Sequence, residues 1–269
     1  MSPKPIRMHR LNDKHFATLA MVKERTFRVG VEHIPTIHDN LGSAFDTATA
    51  LVGLRHATGG SEEDVVEAVG WVRDVGVALF RRAVLDPSES VTMVIAGRTL
   101  DVPGGGNYRN SAPRWADALG AALILRDADA VAQLCAFPPG GFLGEYARYH
   151  DTYARTVMAF HAGEPWRELL DEQIAQAEHP DLYRERGRRY GLPLARVVGT
   201  VLERDQAAFT AHLADGLGQY RVLYGKGQDR SDPRGVLPLR YIGWCARAHD
   251  DGLTVEVSSD YLPSGLVTG

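Results

Sequence analysis

A run of glycines between a strand-like and a helix-like segment is the arrangement from which phosphate-binding loops are built. The chain has one in DVPGGGNYRNSAP, residues 101–113, where three glycines occupy 104–106. A P-loop needs a lysine after its last glycine, and a dinucleotide fingerprint needs a glycine where Arg109 stands. Both features are missing, so the segment is predicted to connect a hairpin to a helix and to bind no nucleotide. Arg109, beside the first N–H groups of that helix, is the alternative: a simple anion site.

The ten histidines form no pattern typical of a metal centre. His33 and His38 lie in a predicted turn between helices, and H-E-x-x-H is absent. His150 and His161 share a helix face, but eleven residues separate them, which is roughly 16 Å. We therefore predict no metal ion and no cofactor. G-x-S-x-G is also absent, and neither cysteine lies in a nucleophile motif, so no catalytic residue is assigned.

Aromatic residues recur at helical spacing in GEYARYHDTYARTVMAFH, within a long helix predicted over residues 142–163. Such a stripe is most often core, but three tyrosines and a histidine carry polar ends, so a half-buried groove is the alternative. Asp151 precedes Arg155 by four residues, the favourable order for an ion pair on a helix. The candidate partner-binding residues of this groove are Tyr146, Tyr149, His150, Asp151 and Tyr153.

A second candidate partner-binding surface is an acidic helix start, formed by Glu62, Glu63, Asp64 and Glu67. Four carboxylates suit a basic partner, but acids in a first turn also stabilise the positive end of their own helix. Ser61 followed by Asp64 is close to a capping box. RERGRR, residues 184–189, is interpreted as a solvated helix end because the chain is acidic, with net charge −4. Nucleic acid is therefore not an expected partner.

Helical periodicity dominates the 269 residues and predicts about ten helices. One β-hairpin is predicted near residues 90–102, with Gly97-Arg98 as a type II′ turn. Ser111 is predicted to cap the following helix, and TVEVSS, residues 254–259, to form a short strand. The fold class is therefore all-α, either a bundle or a short solenoid-like array. The chain is expected to form a single helical domain, or two lobes that meet near residues 138–141.

Composition points to an ordinary globular protein, with 44% hydrophobic and 24% charged residues. No run of 18 apolar residues exists, so no membrane span is predicted. The two cysteines lie in the apolar segments AQLCAF and IGWCAR without metal-binding spacing. They are interpreted as buried thiols in a reducing compartment, and a cytoplasmic location is expected.

Several segments taken together resemble the immunity 49 family of bacterial polymorphic-toxin systems, of which Streptomyces-like actinobacteria carry many members. The segments are LGSAFDTATAL, ALFRRA, VIAGRTLDVP, NYRNSAPRWADALGAALILRDADAVAQLC, YHDTYARTVMAFHAGEPW and VEVSSDYLP. The likeness runs from about residue 40 to residue 263. It implies a cytoplasmic protein whose partner is a cognate protein toxin, blocked by direct stoichiometric binding. The family offers no catalytic residues to carry over.

Two other functions stay open. An enzyme could protect by chemistry at the groove around His150 and Asp151, for example by removing a modification that a toxin has made. A helical scaffold or regulatory protein with a different stable partner is the third hypothesis. Stoichiometry separates the first two functions, because an enzyme protects far below one molecule per toxin whereas an inhibitor does not.

Overall fold

The computed structural model describes residues 5–9, 15–37 and 40–269. A short helical turn at Arg184–Arg186 runs into a π-helical turn at Gly187–Gly191 and then into the helix Leu192–Glu203. The helices are α1 (Phe16–Glu32), α2 (Asn40–Ala57), α3 (Glu62–Ala83), α4 (Ala112–Ile124), α5 (Ala128–Cys135), α6 (Tyr149–Ala162), α7 (Arg167–Glu178), α8 (Arg184–Arg186), α9 (Leu192–Glu203), α10 (Gln206–Tyr224), α11 (Leu239–Asp250) and α12 (Ser264–Thr268). The strands are β1 (Ser90–Ile95) and β2 (Arg98–Pro103).

The predicted fold class is confirmed, because the chain is mostly helical with one small antiparallel hairpin. Helix α2 packs between α1 and α3, α4 packs between α3 and α11, and α9 packs on α10. A single hydrophobic cluster includes buried side chains from Phe16 in α1 to Val267 in α12. It draws on both sides of residues 138–141, where a 3₁₀ turn spans Pro139–Gly141. The division into one domain or two lobes stays a prediction.

The start of α3 follows from its sequence. The Ser61 hydroxyl accepts a hydrogen bond from the Asp64 backbone N–H at 3.1 Å. The Asp64 carboxylate accepts one in return from the Ser61 N–H at 2.8 Å. The capping box predicted here is confirmed, and it satisfies two of the N–H groups that every helix start leaves without a partner.

The hairpin lies where it was predicted, but its turn is shifted by one residue. Ile95 pairs with Arg98, so the two turn residues are Ala96 and Gly97, not Gly97 and Arg98. Both have positive φ, 49° and 75°, which is the pattern of a type I′ turn and not of type II′. The hairpin packs on α3, with Ile95 and Val102 buried.

Two local predictions were wrong, and a third, the N-cap at Ser111, was right in position only. The helix predicted over 142–163 begins only at Tyr149, because the preceding residues run as an irregular segment in which Gly144 has a φ of 99°. Ser111 stands at the N-cap of α4 but its side chain makes no capping bond. TVEVSS forms no ladder in the described residues, and its last residue, Ser259, makes only a single parallel bridge to Ile6.

Candidate functional site

A buried arginine organises the polar interior of the molecule. Arg240 in α11 donates from Nε to the Asp117 carboxylate at 2.6 Å and from Nη2 to the Pro113 carbonyl at 2.8 Å. Its Nη1 lies 3.4 Å from Nδ1 of His150, and its guanidinium stands over the Tyr190 ring at 5.4 Å. A buried charge is tolerated when it is paired and hydrogen-bonded in this way. Three helices and the π-helical turn therefore meet at one cation.

The close crossing of α4 and α11 makes this pairing possible. A Cβ on Gly243 would stand 2.6 Å from the carbonyl oxygen of Gly120, and one on Gly120 would stand 2.8 Å from that of Leu239. Only glycine at both positions lets the backbones approach so closely. Asp117, one turn before Gly120, is thereby brought against Arg240.

His150 lies in the first turn of α6, with its ring 4.1 Å from that of Tyr149 and 6.3 Å from that of Tyr146. Burial lowers its pKa well below 6.5, and the nearby charge of Arg240 acts in the same direction. The imidazole is therefore neutral at pH 7. A guanidinium has only donors, so Nδ1 of His150 is the acceptor in this contact and the ring proton resides on Nε2.

A cavity of about 210 Å³, here called the inner compartment, is lined by Tyr149, His150 and Arg240 among others. Among its tyrosines, Tyr220 donates a hydrogen bond to the Arg234 carbonyl at 3.1 Å. The hydroxyls of Tyr149, Tyr190 and Tyr224 bond to none of the described residues. Burial raises the pKa of all three, to about 12 for Tyr149, so all three remain protonated. The polar lining consists of Thr49, Asp117, Tyr149, His150, Arg186, Tyr190, Tyr220, Tyr224, Arg234 and Arg240.

A wider space of about 460 Å³, the outer compartment, adjoins the inner one. Two of its tyrosines, Tyr108 and Tyr183, are 55% and 62% exposed and form its rim. Asp46 accepts two hydrogen bonds from Arg114, at 3.0 and 2.8 Å, and one from Arg109 at 3.1 Å. The two compartments share Thr49, Pro113, Asp117, His150 and Arg234, so together they make one cleft.

The backbone on one side of the cleft has two unusual features. Tyr183 has a φ of 52°, a left-handed conformation that costs a bulky residue free energy. The π-helical turn at Gly187–Gly191 follows it and carries Tyr190 over Arg240. Single π-turns are frequent at functional sites. Both features therefore favour a functional assignment for the cleft.

Comparison with known proteins identifies one family that matches the chain. The model of one family, described as Immunity protein 49, matches residues 55–266. The chain belongs to the Immunity protein 49 family. No curated protein matches the chain, and no solved structure does either.

The aromatic residues predicted as a groove in this Immunity protein 49 chain are partly brought together. Tyr149 and His150 line the inner compartment, and Tyr146 lines the outer one from the irregular segment before α6. Tyr153 belongs to the core, where its hydroxyl accepts from the Trp244 indole N–H at 2.9 Å. The predicted stripe therefore divides between cleft and core.

The ion pair expected between Asp151 and Arg155 is not formed. Asp151 instead accepts a hydrogen bond from the Tyr146 hydroxyl at 2.7 Å, while Arg155 lies 3.9 Å from Glu172 of α7. Burial raises the pKa of Asp151, more strongly than the Tyr146 hydroxyl lowers it. Asp151 itself lines neither compartment, and its contact with the cleft is this hydrogen bond from Tyr146.

The predicted acidic surface lies elsewhere in the Immunity protein 49 fold. Glu62, Glu63, Asp64 and Glu67 are exposed at the start of α3, and none of them lines either compartment. Asp64 belongs to the capping box, and Glu67 accepts a hydrogen bond from Arg55 at 2.7 Å. Two of the four carboxylates therefore also have internal roles.

The glycine loop connects β2 to α4, as predicted. The N–H of Gly104 donates to the Glu89 carbonyl at 2.8 Å, and that of Gly105 donates to the Arg82 carbonyl at 3.0 Å. These two amides are used inside the protein and do not face a ligand. The side chain of Arg109 pairs with Asp46, so its guanidinium is already partly neutralised.

The structure also locates the cysteines, the RERGRR segment and the histidines. Both cysteines are free, and Cys245 is buried while Cys135 is half-buried. In RERGRR, Arg186 pairs with Asp229 at 3.0 Å and lines the inner compartment, a role its sequence did not indicate. His38 lies outside the described residues. Within the described ranges, no group of His, Cys, Asp and Glu has metal-binding geometry, and no helix is long and apolar enough to cross a bilayer.

The central residues of the cleft, Arg240, Asp117 and Tyr190, were missed by reasoning from the sequence. Arg240 and Asp117 are 123 positions apart, so no local motif contains both. A signal was nevertheless present. Each is an isolated charge in an otherwise apolar helical run, LPLRYIGWCA and WADALGAALI, and a charge on an apolar helix face needs a buried partner.

Proposed function

We propose that this chain neutralises a cognate protein toxin by binding it directly, one molecule to one, and that the mouth of the cleft is the docking surface. Membership of the Immunity protein 49 family supports a toxin as the partner in general. Both cysteines are free thiols, which is compatible with the reducing cytoplasm where we place the complex.

The observation that carries the choice of surface is the pair of exposed rim tyrosines, Tyr108 and Tyr183. Tyrosine and arginine are the side chains most enriched among residues that dominate binding energy. Behind the rim, the ion pair of Arg114 with Asp46 presents charge of both signs in a fixed geometry. A partner that covers the rim would bury two aromatic rings and engage charges that are already ordered.

The acidic surface formed by Glu62, Glu63, Asp64 and Glu67 is the competing docking surface. It suits a basic toxin by charge complementarity, and such a contact would depend strongly on salt. Aromatic contacts at the rim would depend on salt much less. The salt dependence of the dissociation constant therefore helps to separate the two surfaces.

The test is a calorimetric titration of the chain with the toxin encoded beside its gene. We expect a stoichiometry of one, and a loss of about 2 kcal/mol, or roughly thirtyfold in Kd, for Tyr183→Ala. Met21→Ala, at an exposed apolar position of α1, is the matched control and should change nothing. Glu63→Gln tests the acidic surface. Absence of binding to the toxin, or of protection against it, would contradict the proposal.

Enzymatic protection is the second candidate function, favoured by the neutral imidazole of His150 beside three tyrosine hydroxyls. An enzyme would protect cells at far less than one molecule per toxin. His150→Ala would then abolish protection while leaving toxin affinity and thermal stability normal. We expect instead that this variant loses stability, about 1–3 kcal/mol for a buried hydrogen-bonded group, and loses protection only in proportion.

A further inference from the structure

We propose that the inner compartment is a binding site for an oxyanion, the carboxylate or phosphate group of a small molecule. The inference concerns the isolated chain and does not rest on toxin neutralisation. It stands on the charge of the lining, on the tyrosine hydroxyls without partners, and on the size and access of the cavity.

The lining is rich in guanidinium groups, each of which is paired with one aspartate. Three guanidinium groups, of Arg186, Arg234 and Arg240, face the compartment together with a single carboxylate, that of Asp117. The acids that pair with Arg186 and Arg234, Asp229 and Asp232, are not part of the lining.

Two of these guanidinium groups also have N–H donors that make no hydrogen bond to a described residue. Arg234 uses Nε and Nη2 to bond Asp232, at 3.0 and 2.8 Å, so its Nη1 makes no hydrogen bond to a described residue. Arg186 uses only Nη2, toward Asp229. An incoming oxyanion can therefore take charge-assisted hydrogen bonds from both residues without breaking the existing ion pairs.

Tyrosine hydroxyls supply a second, independent set of donors. Tyr149 and Tyr224 are only 3% and 9% exposed, yet neither hydroxyl bonds to a described residue, and the hydroxyl of Tyr190 does not either. All three side chains line the cavity, so their hydroxyls are available to hydrogen-bond a ligand there. Because burial keeps all three protonated, each offers a hydrogen to an acceptor. An oxyanion has enough lone pairs to accept from all of them.

The dimensions restrict the class of ligand. A volume of about 210 Å³ equals roughly seven water molecules, and it is smaller than a typical drug-sized pocket. It accommodates a phosphate ion or a small dicarboxylic acid, but not a whole nucleotide. Entry is through the outer compartment, which shares His150 and Asp117 with the inner one.

The experiment is an isothermal titration of the full chain with inorganic phosphate and, separately, with glutarate, at constant ionic strength. Sodium chloride is the blank for non-specific screening. We expect saturable one-to-one binding of at least one of the two probes. Saturation by phosphate alone assigns a phosphate group, and saturation by glutarate alone assigns a carboxylate. Saturation by both shows that the site reads the shared oxyanion chemistry.

Two variants locate the binding. Arg186→Gln and Tyr190→Phe each remove donors to the anion, and each should weaken binding about tenfold or more. Tyr190→Phe keeps the ring that stands over Arg240, so its fold should be preserved. Arg155→Gln and Arg167→Gln are the matched controls, because neither residue lines either compartment.

Two results would overturn the inference: no saturable heat with either probe, or an equal loss of affinity in the controls. Neither result bears on the proposed docking of a toxin, because that docking is tested separately by titrating the Tyr183→Ala variant with the toxin. Binding of an anion without binding of the toxin would contradict only the proposed function. A melting curve for every variant separates lost ligand contacts from lost folding.

Discussion

Replacing Arg240 by methionine removes the cation on which the cleft is built, and the size of the effect can be worked from its contacts. Removal of one partner of a buried ion pair typically destabilises a protein by 3–5 kcal/mol, because the other charge is left buried. Asp117 keeps 27% of its side-chain exposure, so water can partly solvate the carboxylate that is left. We therefore expect the lower end of the range, about 3 kcal/mol.

The assay is equilibrium unfolding in urea, followed by far-UV circular dichroism, with the midpoint and slope compared between variants. Arg155→Met is the matched control, since Arg155 is 44% exposed and lies 3.9 Å from its acid. An exposed pair of this kind contributes about 0–1 kcal/mol. The double variant Arg240→Met with Asp117→Asn should lose less stability than the two single changes added together, because the two residues are coupled.

An NMR titration of the same variant provides a second readout. The positive charge of Arg240 is one cause of the lowered pKa of His150, so its removal should raise that pKa toward 6.5. Loss of less than about 1 kcal/mol on Arg240→Met, together with an unchanged His150 titration, would refute the reasoning that the cleft depends on this cation.

Three further tests concern other parts of the structure. Gly235→Ala would place a Cβ 2.1 Å from the ring of Tyr224, so the free energy of unfolding should fall by about 1–3 kcal/mol. An unchanged free energy of unfolding would refute the close approach. Gly97→Val should lower the free energy of unfolding by about 1–3 kcal/mol because the φ of Gly97 is 75°, whereas Ala96→Gly should raise it. Equal effects of the two variants would exclude the type I′ turn. The circular dichroism spectra of both variants should stay helical. The free energy of unfolding should also fall as the pH is lowered from about 7.5 to about 5.5. The unfolded chain protonates His150 near pH 6.5 and the folded chain only well below it, so the fall should be smaller in His150→Gln.

Local features were the ones that could be predicted from the sequence. The capping box at Ser61 depends on residues three apart, and the hairpin depends on two alternating runs around a glycine. The exact turn was shifted because Ala96 adopts positive φ, which an alanine rarely does. The start of α6 was placed too early, since the pattern of tyrosines continues through an irregular segment that only happens to match helical spacing.

The candidate site could be predicted only on the side that α6 contributes. Tyr149 and His150 carried a visible signal because they are adjacent on one helix. Arg240 and Asp117 did not, because their contact depends on how α4 and α11 cross, and two glycines 123 positions apart decide that crossing. Helix packing angles and close approaches depend on side chains from both helices together, so neither helix alone predicts them.

The separation of these residues along the chain also sets when the cleft comes into being. Asp117 and His150 are synthesised long before Arg240, which follows them by 123 and 90 residues. On the ribosome, α4 and α6 must wait for α11 before their polar side chains find the cation, and contacts of such long range form late in folding. The cleft therefore assembles only after α11 has been synthesised. A chain that stops before α11 lacks Arg240 and has no cleft, so the ability to bind at this site reports that synthesis has passed Arg240.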